Sequence, residues 1–300
     1  MVLFLLSSKA GVKRISILSQ SGDKTSTAFG FISALLNTFY ILYFMKIFNQ
    51  TVLFGCAAVS SFYCYADDAE VKQIKASGNL SVVSKYVSRG LTNAPENDDV
   101  AVQAALNLAY GNFYVGYWGS TLGYSYAEVQ GRPGHRSDKF EHDFLLGYTH
   151  SSENYDWDLW NATYYYPGGK HSTGNELGLN VSRALNNQTS IGASISTYLY
   201  DVAYANQGDT FYTLNLSHQL NDRLNASVTA AGSYFNDEGK YEGGELGDTE
   251  KQFAFRYASA GLSYALLPQV SLSGEYIFGG YDRYDDKQRN LAVVALSYDF

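Results

Sequence analysis

Cysteine, basic charge and long apolar runs are all scarce in this chain, and each scarcity removes a class of protein. Both cysteines, Cys56 and Cys64, precede Ala66. The remainder therefore carries no thiol, as suits a compartment where stray thiols are oxidised. Residues 1–66 hold Lys9, Lys13, Arg14, Lys24 and Lys46 against a single acid, Asp23, so residues 67–300 are more acidic than the whole chain's net charge of −8. A surface short of clustered Lys and Arg argues against binding nucleic acid, which needs such clusters to neutralise phosphates. With 4 prolines and a mean hydropathy of −0.20, no stretch beyond Phe62 is apolar enough for a membrane helix of ~20 residues. What the chain has in abundance is tyrosine, 27 residues, and glycine, 28 residues. That profile suits strands with one polar and one apolar face and aromatic residues at a membrane interface, although a soluble β-sandwich shares part of it.

The N-terminal region reads as an export signal. Met45-Lys46 opens a short basic stretch, residues 51–63 form an apolar core, and Cys64-Tyr65-Ala66 places small residues before a cleavage point between Ala66 and Asp67. Residues 45–66 are then a signal peptide, residues 67–300 the exported domain, and residues 1–44 an upstream extension superfluous to it. Two rivals are a short anchor over Phe29–Phe44, about 16 residues and brief for a span, and a lipoprotein signal at Leu53-Phe54-Gly55-Cys56. Bulky Phe54 and the apolar run continuing past Cys56 speak against the second.

From Ser77 onward the dominant period is 2, which puts alternate residues on opposite faces of a strand. Val100, Val102, Ala104, Leu106, Leu108 and Tyr110 alternate with Ala101, Gln103, Ala105, Asn107 and Ala109, and the pattern recurs at 177–181, 191–199, 212–216 and 224–230. About twelve strands of barrel-spanning length are predicted, within a range of roughly 10–14: near 79–90, 99–110, 113–126, 139–150, 155–166, 175–184, 189–200, 210–220, 223–235, 251–265, 269–279 and 288–300. Short links at 111–112, 151–154, 185–188, 221–222 and 266–268 alternate strictly with longer polar ones at 91–98, 127–138, 167–174, 201–209, 236–250 and 280–287. The expected fold is all-β, a transmembrane antiparallel β-barrel with short periplasmic turns and long outer loops. Its address is then the bacterial outer membrane, among lipids and lipopolysaccharide.

The last strand sharpens this expectation. Ala292, Val294, Leu296, Tyr298 and Phe300 occupy every second position and end on the carboxy-terminal aromatic. Leu296, Tyr298 and Phe300 match the terminal strand that outer-membrane proteins offer to the barrel-assembly machinery; any edge strand ending in Phe is the plain alternative.

Several segments resemble a known family. Ser84-Lys85-Tyr86-Val87-Ser88-Arg89-Gly90 is similar to an opening S-x-Y-x-x-R-G strand, and 113–120 to an F-Y-x-G-x-W-x-S strand. Glu141-His142-Asp143 with Gly147-Tyr148, and Tyr164-Tyr165-Tyr166-Pro167-Gly168, are similar to further strand and corner motifs. Together they resemble the TorF-like porin family of proteobacterial conserved outer-membrane proteins, with Lys85 departing from the expected acidic or neutral residue. The resemblance implies an outer-membrane barrel of porin type and supplies no substrate.

If the apolar sets face lipid, their partners face the lumen, which assigns Lys85, Arg89, Glu141, Asp143, Glu176 and Glu275 to the interior; basic residues on the lipid face would cost ~2–4 kcal/mol at mid-membrane. Arg256 sits where Phe253-Phe255-Tyr257 and Ala260-Leu262-Tyr264 imply opposite registers, so a bulge is expected there. Opposed charges select solutes across a constriction, or they brace a narrow barrel as ion pairs. The acidic loop 236–250 matches no EF-hand spacing and reads as solvated surface rather than a metal site.

Of the five histidines, only His150-Ser151-Ser152-Glu153-Asn154 offers the residue types of a hydrolase, and it falls in a predicted periplasmic turn, where an outer-leaflet lipase cannot use it. No phosphate-binding glycine loop or Cys/His metal spacing occurs, and no cofactor is implied. The expected role is passive diffusion of small hydrophilic solutes rather than catalysis. A non-conducting structural or adhesive barrel is the first alternative, and a lipase the last.

Overall fold

The computed structural model describes residues 73–92 and 97–300; the expected extension over 1–44, the signal over 45–66 and its cleavage site at Ala66 and Asp67 lie outside the described residues. Twelve antiparallel strands form a closed barrel, each paired with its neighbours in chain order and the last returning to the first. They are β1 (Ile74–Val83), β2 (Ala101–Tyr110), β3 (Phe113–Thr121), β4 (Phe140–Ser151), β5 (Asp156–Tyr165), β6 (Gly174–Ala184), β7 (Thr189–Tyr198), β8 (Thr210–Asn221), β9 (Leu224–Tyr234), β10 (Phe253–Leu267), β11 (Val270–Gly279) and β12 (Leu291–Asp299). Short and long links alternate around the ring, so one rim carries only tight turns and the other only long loops.

Alternation decides the two faces. Leu80, Val82, Val102, Leu106, Val115, Leu146, Leu159, Leu214, Val228 and Leu262 point outward and are exposed, whereas Ser81, Ser120, Glu141, Glu176, Ser196, Ser233 and Ser259 point inward and are buried. The outward aliphatic band is flanked by exposed aromatics at both rims. Tyr110, Phe113, Tyr155, Trp157, Tyr264 and Tyr298 stand toward the short-turn rim, and Tyr165, Tyr212, Phe253 and Phe278 toward the long-loop rim. A polar break interrupts the outer face where Asn161 on β5 and Asn175 on β6 exchange amide hydrogen bonds of 2.8 and 3.0 Å.

The seam joins β1 to β12 with Leu80 opposite Tyr298 and Val82 opposite Leu296. It ends in a reciprocal pair: Gly78 N–H donates to the Phe300 carbonyl at 2.9 Å and Phe300 N–H to that of Gly78 at 3.0 Å. A Cβ on Gly78 would lie 2.3 Å from the Phe300 ring. Glycine at this point leaves room for the terminal ring against β1.

Three expectations are corrected. The first strand runs Ile74–Val83 rather than 79–90, because the chain leaves the sheet at Ser84 and turns inward, passing through positive φ at Arg89 (51°) and Gly90 (73°). The third strand stops at Thr121, and what was expected to continue it becomes a helical turn, α1 (Tyr126–Val129), capped by Ser125 and Glu128. The last strand starts at Leu291 rather than 288. The expected bulge is present: Gly232 pairs Phe255 and Ala231 pairs Tyr257, leaving Arg256 as the extra residue.

Candidate functional site in the barrel lumen

The inward-turning segment after β1 builds the centre of the site. Arg89, held in a left-handed conformation that a non-glycine residue seldom adopts, carries its guanidinium to Glu176 on β6 at 2.6 Å. The same group lies over the Phe211 ring at 4.9 Å and over the Tyr198 ring at 5.6 Å. Glu176 is 0% exposed and also accepts from the Tyr164 hydroxyl at 2.7 Å. Glu141 on β4 is bracketed by two phenols, Tyr86 and Tyr166, each donating at 2.6 Å. Its neighbour on the same face, Asp143, is 9% exposed, and its Oδ1 has no hydrogen-bond partner.

Arg256 is 3% exposed. Its Nη1 donates to the Tyr281 carbonyl at 2.6 Å and its Nη2 to the Arg89 carbonyl at 3.2 Å. The bulge therefore aims a guanidinium inward to pin two loops. Glu275 faces the lumen opposite Gly261 and is exposed there. Lys85 is the misplaced member of the expected set. It lies beyond the end of β1, and its Nζ donates to the Asn97 carbonyl at 2.9 Å, so it braces its own loop instead of lining the wall of the first strand.

Charges in the long loops form a second layer. Arg283 donates to both carboxylate oxygens of Asp209, at 3.1 and 3.0 Å, and lies over the Phe235 ring at 5.0 Å. Both side chains are buried. Burial pushes the Asp209 carboxyl above the ordinary carboxylate range, against the lowering pull of Arg283 and of the Asn236 and Asn206 amides. Tyr126, Tyr166, Tyr198 and Tyr204 pack ring against ring at centroid separations of 5.3 to 5.9 Å. Burial raises the Tyr204 and Tyr126 phenols, which stay protonated and available as donors.

Sequence reasoning missed Arg283, Asp209 and this tyrosine array. They sit in polar loops that carry no periodicity, and the one readable signal was the recurrence of Tyr around the third corner. In the acidic loop, Glu242 accepts from the Asn206 amide at 2.6 Å and Glu245 pairs with His171 at 2.9 Å. Those carboxylates tie loops together. His142 faces outward, its Nδ1 2.9 Å from the Tyr117 hydroxyl.

Space remains at three levels of the lumen. A cavity of about 670 Å³ lies among the long loops, with Arg89, Tyr126, Tyr204 and Arg283 in its wall. A recess of about 360 Å³ lies beside Asp143, and a cavity of about 460 Å³ near the short-turn rim is lined by Thr149, Asp156, Asn180, Ser194 and Asn215. Arg89 lines the first of these spaces and Asp143 the second.

Solved structures with similar folds include a KdgM porin (TM-score 0.49, 7% identity, 75% of this chain and 98% of that one). A NanC porin gives a TM-score of 0.46 at 11% identity over 74% of this chain and 98% of its own. The outer membrane phospholipase A from Escherichia coli gives 0.39 at 14% identity over 77% and 93%. Among curated proteins, none matches the sequence. The family model described as a bacterial protein of unknown function, Gcw_chp, matches residues 68–279, and the chain belongs to that family.

Proposed function

We propose that this barrel is a porin-like channel of the bacterial outer membrane, passing small hydrophilic solutes by diffusion through a charged neck. The observation that carries the reading is a lumen with polar walls and space at three levels, inside a barrel whose outward face is an apolar band between two aromatic girdles. Twelve strands fall between small packed barrels and the wide 16–18-stranded porins, so the pore is narrow. The short turns then face the periplasm and the long loops the outside. The TorF-like resemblance of 84–90 and 113–120 agrees with this reading, and the Phe300 seam fits recognition by the barrel-assembly machinery.

The lumen charges divide between the two roles expected of them. Arg89–Glu176 and Tyr86–Glu141–Tyr166 are bracing contacts that set the neck's width, whereas exposed Glu275 is free to act on passing ions. Planar-bilayer recording on the refolded protein tests the proposal. Discrete conducting steps support it; a silent bilayer combined with ester hydrolysis indicates a lipase, and silence in both assays a structural barrel.

A further inference from the structure

Three features compete for attention: the loop cavity with its arginines, the Asn161–Asn175 pair on the outer face, and the mid-lumen recess. The arginines of the loop cavity already have work, since Arg89 and Arg283 are paired with carboxylates and Arg256 is spent on carbonyls. The two asparagines satisfy one another. Among the buried carboxyl groups of the described residues, Asp143 in the recess alone accepts no hydrogen bond.

Register explains its shape. On the inward face Trp118 lies opposite Asp143, which lies opposite Tyr164. Four residues closer to the short-turn rim, Tyr114, Gly147 and Trp160 form a second row. At about 3.3 Å per residue the rows are ~13 Å apart along the strands. Between them run Gly116, Leu145 and Ala162, smaller than the rings on either side, and the recess of about 360 Å³ opens over that floor.

Its chemistry is one-sided. Asp143 and Asp158 both line it, and no Lys or Arg does. Asp158 is held by the Tyr114 hydroxyl at 2.9 Å and the Asn180 amide at 3.0 Å. Asp143 keeps one oxygen without a donor while buried, an arrangement that folded proteins seldom leave without a reason. Aromatic faces carry negative potential and attract cations, alkylated ammonium groups above all, because their methyls pack on the rings while their charge meets the quadrupole.

Packing explains part of this. A Cβ on Gly178 would fall 2.1 Å from the Trp160 ring, and one on Gly147 would fall 2.2 Å from Tyr114. Those contacts hold the rings rigid, but they do not account for the lone carboxylate oxygen or the missing basic residue.

We propose that this recess is a binding site for a small organic ammonium ion, its charge met by Asp143 and its alkyl groups seated against Trp118 and Tyr164, which flank Asp143 in the same row. The site rests on the channel reading only in that solutes must reach the middle of the lumen. Titrating the refolded full chain with tetramethylammonium chloride while following tryptophan fluorescence tests it directly, because Trp118 and Trp160 border the recess and Trp157 faces outward. The expected result is a saturable change that sodium chloride at equal ionic strength does not produce.

Asp143→Asn should weaken that response by about tenfold or more, and Trp118→Phe should remove most of it. Heat-modifiable gel migration reports whether each variant has folded; if Asp143→Asn does not fold, the loss of response in Trp118→Phe decides in its place. A change that is linear, equal in sodium chloride, produced by glucose instead, or unaltered in the folded Asp variant overturns the site. No current is needed for this measurement. A silent bilayer with saturable tetramethylammonium binding would therefore sink the channel and keep the site, and a conducting barrel without such binding would do the reverse.

Discussion

The two halves of the lumen are built on opposite principles. Toward the long loops, buried charges other than Asp143 are matched to partners, as in Arg89 with Glu176, Arg283 with Asp209, and Glu141 between two phenols. Toward the short turns, the wall apart from Asp156 and Asp158 is mainly serine, threonine and asparagine, joined by neutral hydrogen bonds such as Ser194 to Thr213 at 2.5 Å and Asn215 to Thr229 at 3.1 Å. A charge removed from water needs a partner, and a small polar group in a wet lumen does not. The difference separates a half into which loop residues such as Tyr86 and Arg89 reach across to β4 and β6 from one whose wall is joined strand to neighbouring strand.

That contrast can be broken by substitution, beginning where the largest loss is expected. Asp209→Ala leaves Arg283 buried without its counter-charge and should cost the loop layer about 3–5 kcal/mol, seen as new proteolytic cleavage within 199–209 and 235–252. Next comes Gly178→Ala, whose added methyl meets the Trp160 ring and should destabilise the barrel by about 1–3 kcal/mol, read from urea unfolding in micelles. Tyr166→Phe removes one of the two donors to Glu141 and should cost about 1.5 kcal/mol in the same assay. In the short-turn half, Ser273→Ala should change stability by no more than about 0.5 kcal/mol. An inner-half serine that proved as costly as Tyr166 would erase the distinction between the halves.

The strand ladder was legible in the sequence because a period of 2 leaves its mark on every wall segment, and the bulge at Arg256 was legible because two runs of aromatics fell out of phase. The inward turn after β1 was not. Ser84–Gly90 alternates like a strand, and periodicity cannot separate a chain that continues up the wall from one that bends into the lumen so that Tyr86 can reach Glu141. The face of Glu141, Asp143, Glu176 and Glu275 followed from parity alone. Their partners did not, since Tyr86 stands 55 positions from Glu141 and Arg89 87 from Glu176, nor did the pair of Asp209 and Arg283, 74 positions apart in loops without pattern. Asp143 was read correctly as inward, but its unpartnered oxygen depends on the exact packing of rows that no linear pattern encodes.

The central proposal is that the Arg89 bracket forms the neck of a conducting lumen. Single-channel recording in potassium chloride on the wild type and Arg89→Ala, with Ser273→Ala as the control from the short-turn half, tests it most directly. The account predicts discrete steps for all three, a larger conductance and greater preference for cations when Arg89 is removed, and no change for the serine. Equal conductance and selectivity in wild type and Arg89→Ala, or no steps at all from folded protein, would contradict it.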